Sequence, residues 1–211
     1  MHIIVAGSAR SGKTTLSLML KNRGYVHYKM DSIKRGICEA YNLQYDNWDE
    51  VSVIMATIIN RIIKDQTTDT NYLKEDYLFD IPFLYPKDLD LIDINNTLVI
   101  FLGYSKLSIE ENFNNIRKYD KDNYWTNNIN DETLKKMCQE NIEFSKYLES
   151  ECNKYNIPYF DTSYNREEIL KKIIIFIREK ELEHLLNKQN RIEEDNQQVN
   201  VLTEKIKKLT R

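Results

Sequence analysis

The distribution of apolar residues along the chain predicts alternating strands and helices. A β-branched apolar run at residues 2–6 indicates a strand buried on both faces of a sheet, and Leu16, Met19 and Leu20 recur at the spacing of an amphipathic helix. Four further apolar runs predict strands at residues 25–28, 77–80, 98–102 and 157–160. This alternation predicts an α/β fold with an open, mostly parallel five-stranded sheet, helices on both faces, and ligands bound at the carboxyl ends of the strands.

Several helices are predicted between these strands. Asp31 and Ser32 are suited to cap a helix that runs to about residue 41. The other predicted helices span residues 48–63, 109–116 and 132–154. The polar run after residue 64 is expected to end the helix that begins at residue 48.

From residue 166 onward the pattern is helical to the last residue. The residues that recur every seven positions, as along a coiled-coil seam, are Leu185, Ile192, Val199 and Ile206. We therefore divide the chain into a domain of residues 1–177 and a helical tail of residues 178–211. Polar residues occupy half of the seam, so two interpretations stay open: a tail that packs or forms a homodimer, and a frayed, partly disordered tail.

Composition narrows the class of protein. The 211 residues are enough for one α/β domain with an appendage. Lys plus Arg total 30 against 33 for Asp plus Glu, which gives a net charge of −3. The chain therefore lacks the basic excess of a dedicated nucleic-acid binder. The cysteines show no C-x-x-C spacing, so we expect reduced thiols and no zinc site. Because neither a membrane span nor a signal peptide is visible, we expect a soluble cytoplasmic protein.

The most specific motif is G-S-A-R-S-G-K-T at residues 7–14, a complete G-x-x-x-x-G-K-[ST] loop between the first strand and the first helix. Its glycines let backbone N–H groups approach a phosphate, Lys13 reaches the β- and γ-phosphates, and the hydroxyl of Thr14 suits Mg²⁺. A glycine-rich turn without a ligand is the alternative. The residues predicted to bind ATP or GTP with Mg²⁺ are Gly7, Ser8, Ala9, Arg10, Ser11, Gly12, Lys13, Thr14 and Thr15.

The order of motifs resembles the adenylate-kinase-like branch of the P-loop kinases, which includes nucleoside monophosphate, shikimate and gluconate kinases. The resemblance covers roughly residues 1–177 and implies a P-loop NTPase three-layer fold with a lid-like insertion at about residues 105–130. Besides the loop, it rests on M-D-S after the second strand, L-F-D-I-P-F at the third, Arg117 in the polar segment after the fourth, and F-D-T-S after the fifth.

The resemblance implies roles for single residues. Asp31 would order Mg²⁺ or take a proton from the acceptor hydroxyl, and so be catalytic together with Lys13. Asp80 would join Thr14 at the metal, and Arg117 would be a catalytic residue that clamps the transferring phosphoryl group. Arg35, one turn after Asp31, is suited to pair with an anionic acceptor. The structural alternatives are a helix cap for Asp31, a solvent-facing side chain for Arg35, a strand-ending turn for Asp80 and a surface salt bridge for Arg117.

One departure from the pattern concerns the acceptor. Ile81 and Phe83 stand where adenylate kinases have a glycine and a substrate-gripping arginine, which weakens the case for a nucleoside monophosphate. We expect an ATP-dependent phosphotransferase acting on a small-molecule acceptor. The alternatives are a nucleotide-dependent switch or scaffold ATPase that acts through the helical tail, and a kinase of polynucleotide ends, which the acidic balance disfavours.

Overall fold

The computed structural model describes residues 1–43, 47–68, 75–120 and 125–209. Within these residues, five parallel strands form one sheet in the order β2-β3-β1-β4-β5. The strands are β1 (His2–Gly7), β2 (Tyr25–Lys29), β3 (Asp76–Pro82), β4 (Thr97–Gly103) and β5 (Tyr159–Asp161). The predicted parallel sheet is therefore confirmed.

The helices lie close to the predicted positions. The α-helices are α1 (Lys13–Leu20), α2 (Met30–Tyr41), α3 (Trp48–Thr68), α4 (Ile109–Tyr119), α5 (Asp131–Lys154) and α6 (Arg166–Leu209). Short 3₁₀ helices span Lys21–Arg23, Pro86–Leu91 and Trp125–Asn128. The polar run after residue 64 does not end α3 at once, because Asp, Gln and Thr can each occupy a helix and the run lacks Gly and Pro.

The predicted cap of α2 is wrong. Strand β2 runs directly into the helix, so Lys29, with an extended backbone, is the N-cap residue and makes no side-chain capping bond. Asp31 therefore lies inside the first turn of α2, where its negative charge is favourable to the helix dipole. The carboxylate is thus not committed to capping the helix and is available to a site.

The core is built around β1, which is buried along its whole length between β3 and β4. On one face of the sheet, Ile4 and Ala6 share a core cluster with residues of α2, α3 and α5, including Met55 of α3. Ile3 and Val5 face the other way because side chains alternate along a strand. Burial on both faces explains why β1 reads as a continuous apolar run.

Strand order determines where a site can form. From β1 the chain goes to β2 and β3 on one side and afterwards to β4 and β5 on the other. The loop after β1 therefore lies at a topological switch point, where the strand ends open a crevice. Residues just past the ends of β3 and β4 are brought to the same edge.

The chain divides into two compact units, Met1–Ile173 and Ile174–Arg211. The described part of the second unit is the remainder of α6, and Leu182, Leu185 and Ile192 are exposed along it. Among the described residues, no helix is both long and apolar enough to cross a bilayer.

Candidate functional site

The loop from Gly7 to Thr14 has a sharply turned, glycine-dependent backbone. Gly7 has φ +137°, and a Cβ there would lie 1.9 Å from the carbonyl oxygen of Leu102 in β4, so only glycine fits. Gly12 has φ +101° and is the residue from which α1 begins. Arg10 also has a left-handed backbone, with φ 63°. These conformations turn the chain sharply between strand and helix, as anion-binding loops require.

Side chains from three elements hold the loop in place. The hydroxyl of Ser8 lies 2.6 Å from that of Ser145 in α5, and Tyr104 after β4 donates a hydrogen bond of 2.8 Å to the carbonyl of Ala9. Thr162, after β5, donates to the carbonyl of Ser11 at 3.0 Å. A loop anchored in this way is held in one conformation.

Lys13 lies folded over the loop. Its ammonium group donates a hydrogen bond of 2.6 Å to the carbonyl oxygen of Ser8 and is almost fully buried. Burial lowers the pKa of Lys13 to about 8, although the carboxylates of Asp80 and Asp31 act in the opposite direction. A buried cation with this environment favours an anionic ligand that would complete its neutralisation.

A hydroxyl and a carboxylate meet beside Lys13. Thr14 Oγ1 donates a hydrogen bond of 2.7 Å to Asp80 Oδ2, and Asp80 is buried near the end of β3. Hard oxygen ligands of this kind are what Mg²⁺ prefers. The donor set therefore fits the magnesium site predicted for Thr14 and Asp80, and within the described residues the buried Ser11 hydroxyl close by makes no hydrogen bond.

His27, in β2, also faces Asp80. Its Nε2 atom lies 4.0 Å from Asp80 Oδ2, and burial lowers the pKa of its ring. This histidine could not be selected from the sequence, because it lies within a strand and belongs to no recognisable motif.

Asp31 lies at the start of α2, within electrostatic range of Lys13. Its carboxylate is 3.0 Å from the guanidinium of Arg35 and 3.5 Å from the ammonium of Lys34. The Asp31 side chain is 42% exposed and that of Arg35 64%, whereas that of Lys34 is 7% exposed. The two cations therefore differ in kind: Arg35 lies at the surface and Lys34 inside.

The buried ammonium of Lys34 contacts two aromatic rings. It lies 4.3 Å from the ring centre of Phe83 and 5.5 Å from that of Trp48, and the two rings stack at 3.8 Å. Phe83 has φ 64°, a conformation that a bulky residue rarely adopts and that is typical of functional sites. Sequence reasoning missed Lys34, although its spacing from the buried Met30 and Cys38 places all three on one helix face.

A cavity of about 560 Å³ opens beside the loop. It lies between Arg10, the face of α4 that carries Asn112, the segment after β5 and the start of α6. Arg166, the first residue of α6, lines the cavity and lies against Gly12. Nearby Asp161 accepts hydrogen bonds from Ser105 and from the backbone of Ser163. Burial raises the pKa of Asp161, but these hydrogen bonds outweigh it, so the pKa is lowered and the carboxylate stays charged.

The structure resembles solved small-molecule kinases. It is similar to a shikimate kinase from Bacteroides thetaiotaomicron, with 12% sequence identity over 84% of this chain and 98% of that chain, at a TM-score of 0.55. It is also similar to a gluconokinase from Sinorhizobium meliloti 1021, with 14% identity over 81% of this chain and 87% of that chain, at a TM-score of 0.52. The sequence matches no protein-family model and no curated protein.

The chain has the fold of the P-loop kinases. The resemblance inferred from the order of motifs is thereby confirmed at the level of the fold.

The structure brings together Lys13, Thr14, Asp31 and Asp80 around the loop of this P-loop kinase fold. Arg117 contacts the segment that leads into α5: its guanidinium donates to the carbonyls of Thr126 and Ile129 at 2.9 and 2.8 Å and to the carboxylate of Asp131 at 2.6 Å. In this position Arg117 ties the end of α4 to the start of α5. Its predicted contact with the phosphoryl group stays a prediction.

Proposed function

We propose that this chain is a P-loop kinase that moves the γ-phosphoryl group of ATP or GTP to a hydroxyl of a small anionic acceptor. The observation that carries the proposal is the 2.7 Å hydrogen bond between Thr14 and Asp80 beside the buried ammonium of Lys13. A loop that only formed a turn would not need a buried cation and a buried carboxylate at its edge, because each is costly to desolvate.

The donor nucleotide would lie along the loop, with its phosphates in the backbone cradle and Lys13 against the β- and γ-phosphates. The 560 Å³ cavity is of the size that takes a nucleoside, and it is lined by polar groups of Asn112, Thr162 and Ser163. Arg10 and Arg166 at its rim add positive charge on the path between base and phosphates. Positioning and charge neutralisation are the main sources of rate in phosphoryl transfer.

Thr14 and Asp80 would hold Mg²⁺, which when bound neutralises charge on the β- and γ-phosphates. The acceptor hydroxyl oxygen would form a bond to the γ-phosphorus while the bond from phosphorus to the β,γ-bridging oxygen breaks, and the electron pair leaves with the nucleoside diphosphate. Asp31, whose carboxylate is partly exposed at the start of α2, would orient the acceptor hydroxyl and take its proton.

The acceptor half of the site would lie beyond Asp31. Lys34, Arg35 and the stacked Trp48 and Phe83 make this region cationic and aromatic. Such a surface suits an acceptor that carries a carboxylate or phosphate in addition to its hydroxyl. Lys34 would bind this negative group, because its burial makes an interaction with an anion stronger than one made by the exposed Arg35.

Release of nucleoside diphosphate in the presence of candidate acceptors tests the proposal. Sugars, hydroxy acids, nucleosides and phosphorylated sugars are offered with MgATP or MgGTP. We expect one anionic class to stimulate release, and Asp31→Asn to reduce the stimulated rate by about 10²–10⁴-fold, the usual contribution of a general base. Lys34→Met is expected to raise the KM for the acceptor, whereas Arg35→Met changes it less. Equal stimulation of wild type and Asp31→Asn contradicts the assignment of the base.

A second candidate is a nucleotide-dependent scaffold that acts through the second unit and forms a homodimer there. Exposed leucine and isoleucine side chains along this part of α6 favour it, because exposed apolar residues at heptad spacing are typical of helix pairing. Truncation after Ile177 distinguishes the two functions. A kinase keeps its acceptor-stimulated turnover after truncation. A scaffold has turnover that no acceptor stimulates, and truncation abolishes its self-association in sedimentation.

A further inference from the structure

His27 is a partly buried histidine with an unusual neighbour. Its Nε2 atom lies 4.0 Å from Asp80 Oδ2, the same carboxylate oxygen that accepts the hydroxyl of Thr14 at 2.7 Å. The His27 side chain is 11% exposed and that of Asp80 7%. Within the described part of the chain, Nε2 of His27 makes no hydrogen bond.

A buried polar atom without a hydrogen bond costs about 1–3 kcal/mol, so one that lies beside a candidate metal site requires a reason. The sheet itself places the ring there: Lys29 of β2 is in register with Asp80 of β3, and His27 is in register with Leu78, so His27 and Asp80 lie on neighbouring strands near the same edge. The separation is about 1 Å longer than a hydrogen bond, so a hydrogen bond between the two groups requires a small shift of the ring or of the carboxylate.

We propose that His27 is a positioning residue for Asp80: in the nucleotide complex it donates a hydrogen bond from Nε2 to Oδ2 and holds the carboxylate in the orientation that binds Mg²⁺. This inference rests on the proposed function, which assigns Thr14 and Asp80 to the metal. Oδ2 has two lone pairs. Thr14 bonds to one of them, and the N–H of His27 bonds to the other, so the carboxylate cannot turn away from the loop.

Partners of metal-binding groups commonly contribute about 10–100-fold to metal affinity, because they fix the direction of the ligand. His27 acts through Asp80 and does not touch the phosphates. The structure therefore assigns to it an effect on the magnesium dependence of nucleotide binding, and no effect on binding without magnesium. A histidine that only fills space in the sheet would change stability and leave the magnesium dependence as it is.

The test uses calorimetric binding of a non-hydrolysable ATP analogue to the full chain, with saturating Mg²⁺ and with a chelator. The variants are His27→Leu, which removes both ring nitrogens, and His27→Gln, whose amide N–H reaches a similar position. His2→Gln is the matched control: His2 is a buried histidine of the same sheet, but its Nδ1 accepts the backbone N–H of Tyr77 at the opposite end of β1 from the loop.

The enhancement is the ratio of nucleotide affinity with Mg²⁺ to nucleotide affinity in chelator. We expect this ratio to be about tenfold smaller in His27→Leu than in the wild type. His27→Gln should keep most of the enhancement, and His2→Gln all of it. Affinity in chelator should be the same for all four proteins. An unchanged enhancement in folded His27→Leu overturns the inference and leaves the proposed function standing. Failure of the wild type to bind the analogue with Mg²⁺ overturns the proposed function and the inference together.

Discussion

Arg10 in the phosphate loop and Asp120 at the end of α4 form a bidentate ion pair, with both nitrogen–oxygen distances at 2.5 Å. The Asp120 side chain is 4% exposed, and it also accepts the hydroxyl of Thr126. Although burial acts in the opposite direction, the bonds from Arg10 and Thr126 lower the pKa of Asp120. The pair thus joins the loop to the end of α4, the helix that lines the cavity.

Asp120→Ala tests this connection. Removing Asp120 deletes both charge-assisted hydrogen bonds of a largely buried pair, so we expect the free energy of unfolding to fall by about 2–4 kcal/mol in urea titrations. We also expect weaker nucleotide binding, because α4 lines the cavity. Asp49→Ala breaks the exposed ion pair with Lys87 and serves as the control, with an expected change below about 1 kcal/mol. Equal effects of the two substitutions would mean that the Arg10–Asp120 pair has no special structural role.

Gly7→Ala and Gly36→Ala should have opposite effects. A Cβ at Gly7 would lie 1.9 Å from a backbone oxygen of β4, so we expect a loss of at least about 4 kcal/mol or failure to fold. Gly36 lies inside α2 with nothing within 4 Å of its Cβ position, and alanine there should stabilise the chain by about 0.5–1 kcal/mol. Thermal unfolding measures both. A tolerated Gly7→Ala would contradict the close approach of the loop to β4.

Lys13→Met should remove activity and raise stability. The pKa of Lys13 is about 8 in the folded chain against 10.5 for an ordinary lysine, so below about pH 8 the folded state bears the cost of a buried charge. At pH 7 we expect Lys13→Met to be more stable by about 1–2 kcal/mol, after allowance for the lost bond to Ser8. The advantage should shrink as the pH rises from 8 to 10.5, where the folded wild type has already released its proton. A lower stability of Lys13→Met at pH 7 contradicts this electrostatic account.

Arg117 and Arg166 should differ in what they control. Arg117 bonds to two backbone carbonyls and to Asp131, so Arg117→Met should lower the free energy of unfolding by about 2–3 kcal/mol. Arg166 lines the cavity beside Gly12, so Arg166→Met should weaken nucleotide binding about tenfold or more and change stability little. Calorimetric binding and urea titration of both variants measure this. If Arg117 clamps the phosphoryl group, Arg117→Met will lower kcat for transfer beyond any loss of folded protein.

The parts that could be predicted from sequence are those encoded by neighbouring residues. The loop is contiguous, and β1 has an uninterrupted apolar run because both of its faces are buried. Strand β5 was placed at residues 157–160 but begins at Tyr159. Pro158 has no N–H for a sheet ladder, and its carbonyl instead accepts the N–H of Phe101 just before the strand pairing starts.

The rest depends on contacts between distant parts of the chain. Arg10 pairs with Asp120, which lies 110 positions later in the chain. Lys34 contacts Phe83, which follows both α3 and β3. No local pattern records such encounters. The left-handed backbone of Phe83 is likewise unpredictable, because phenylalanine by itself disfavours a positive φ and the surrounding structure must hold it there.

Transfer of labelled phosphate from γ-labelled ATP or GTP into an acceptor tests the central proposal most directly. Wild type, Lys13→Met and Asp31→Asn are incubated with Mg²⁺ and the acceptor classes named above, and the labelled product is separated from free phosphate. We expect one labelled acceptor per nucleoside diphosphate formed by the wild type, and a loss of labelled acceptor in both variants. Label that appears only as free phosphate, at a rate that no acceptor raises, would contradict the proposal.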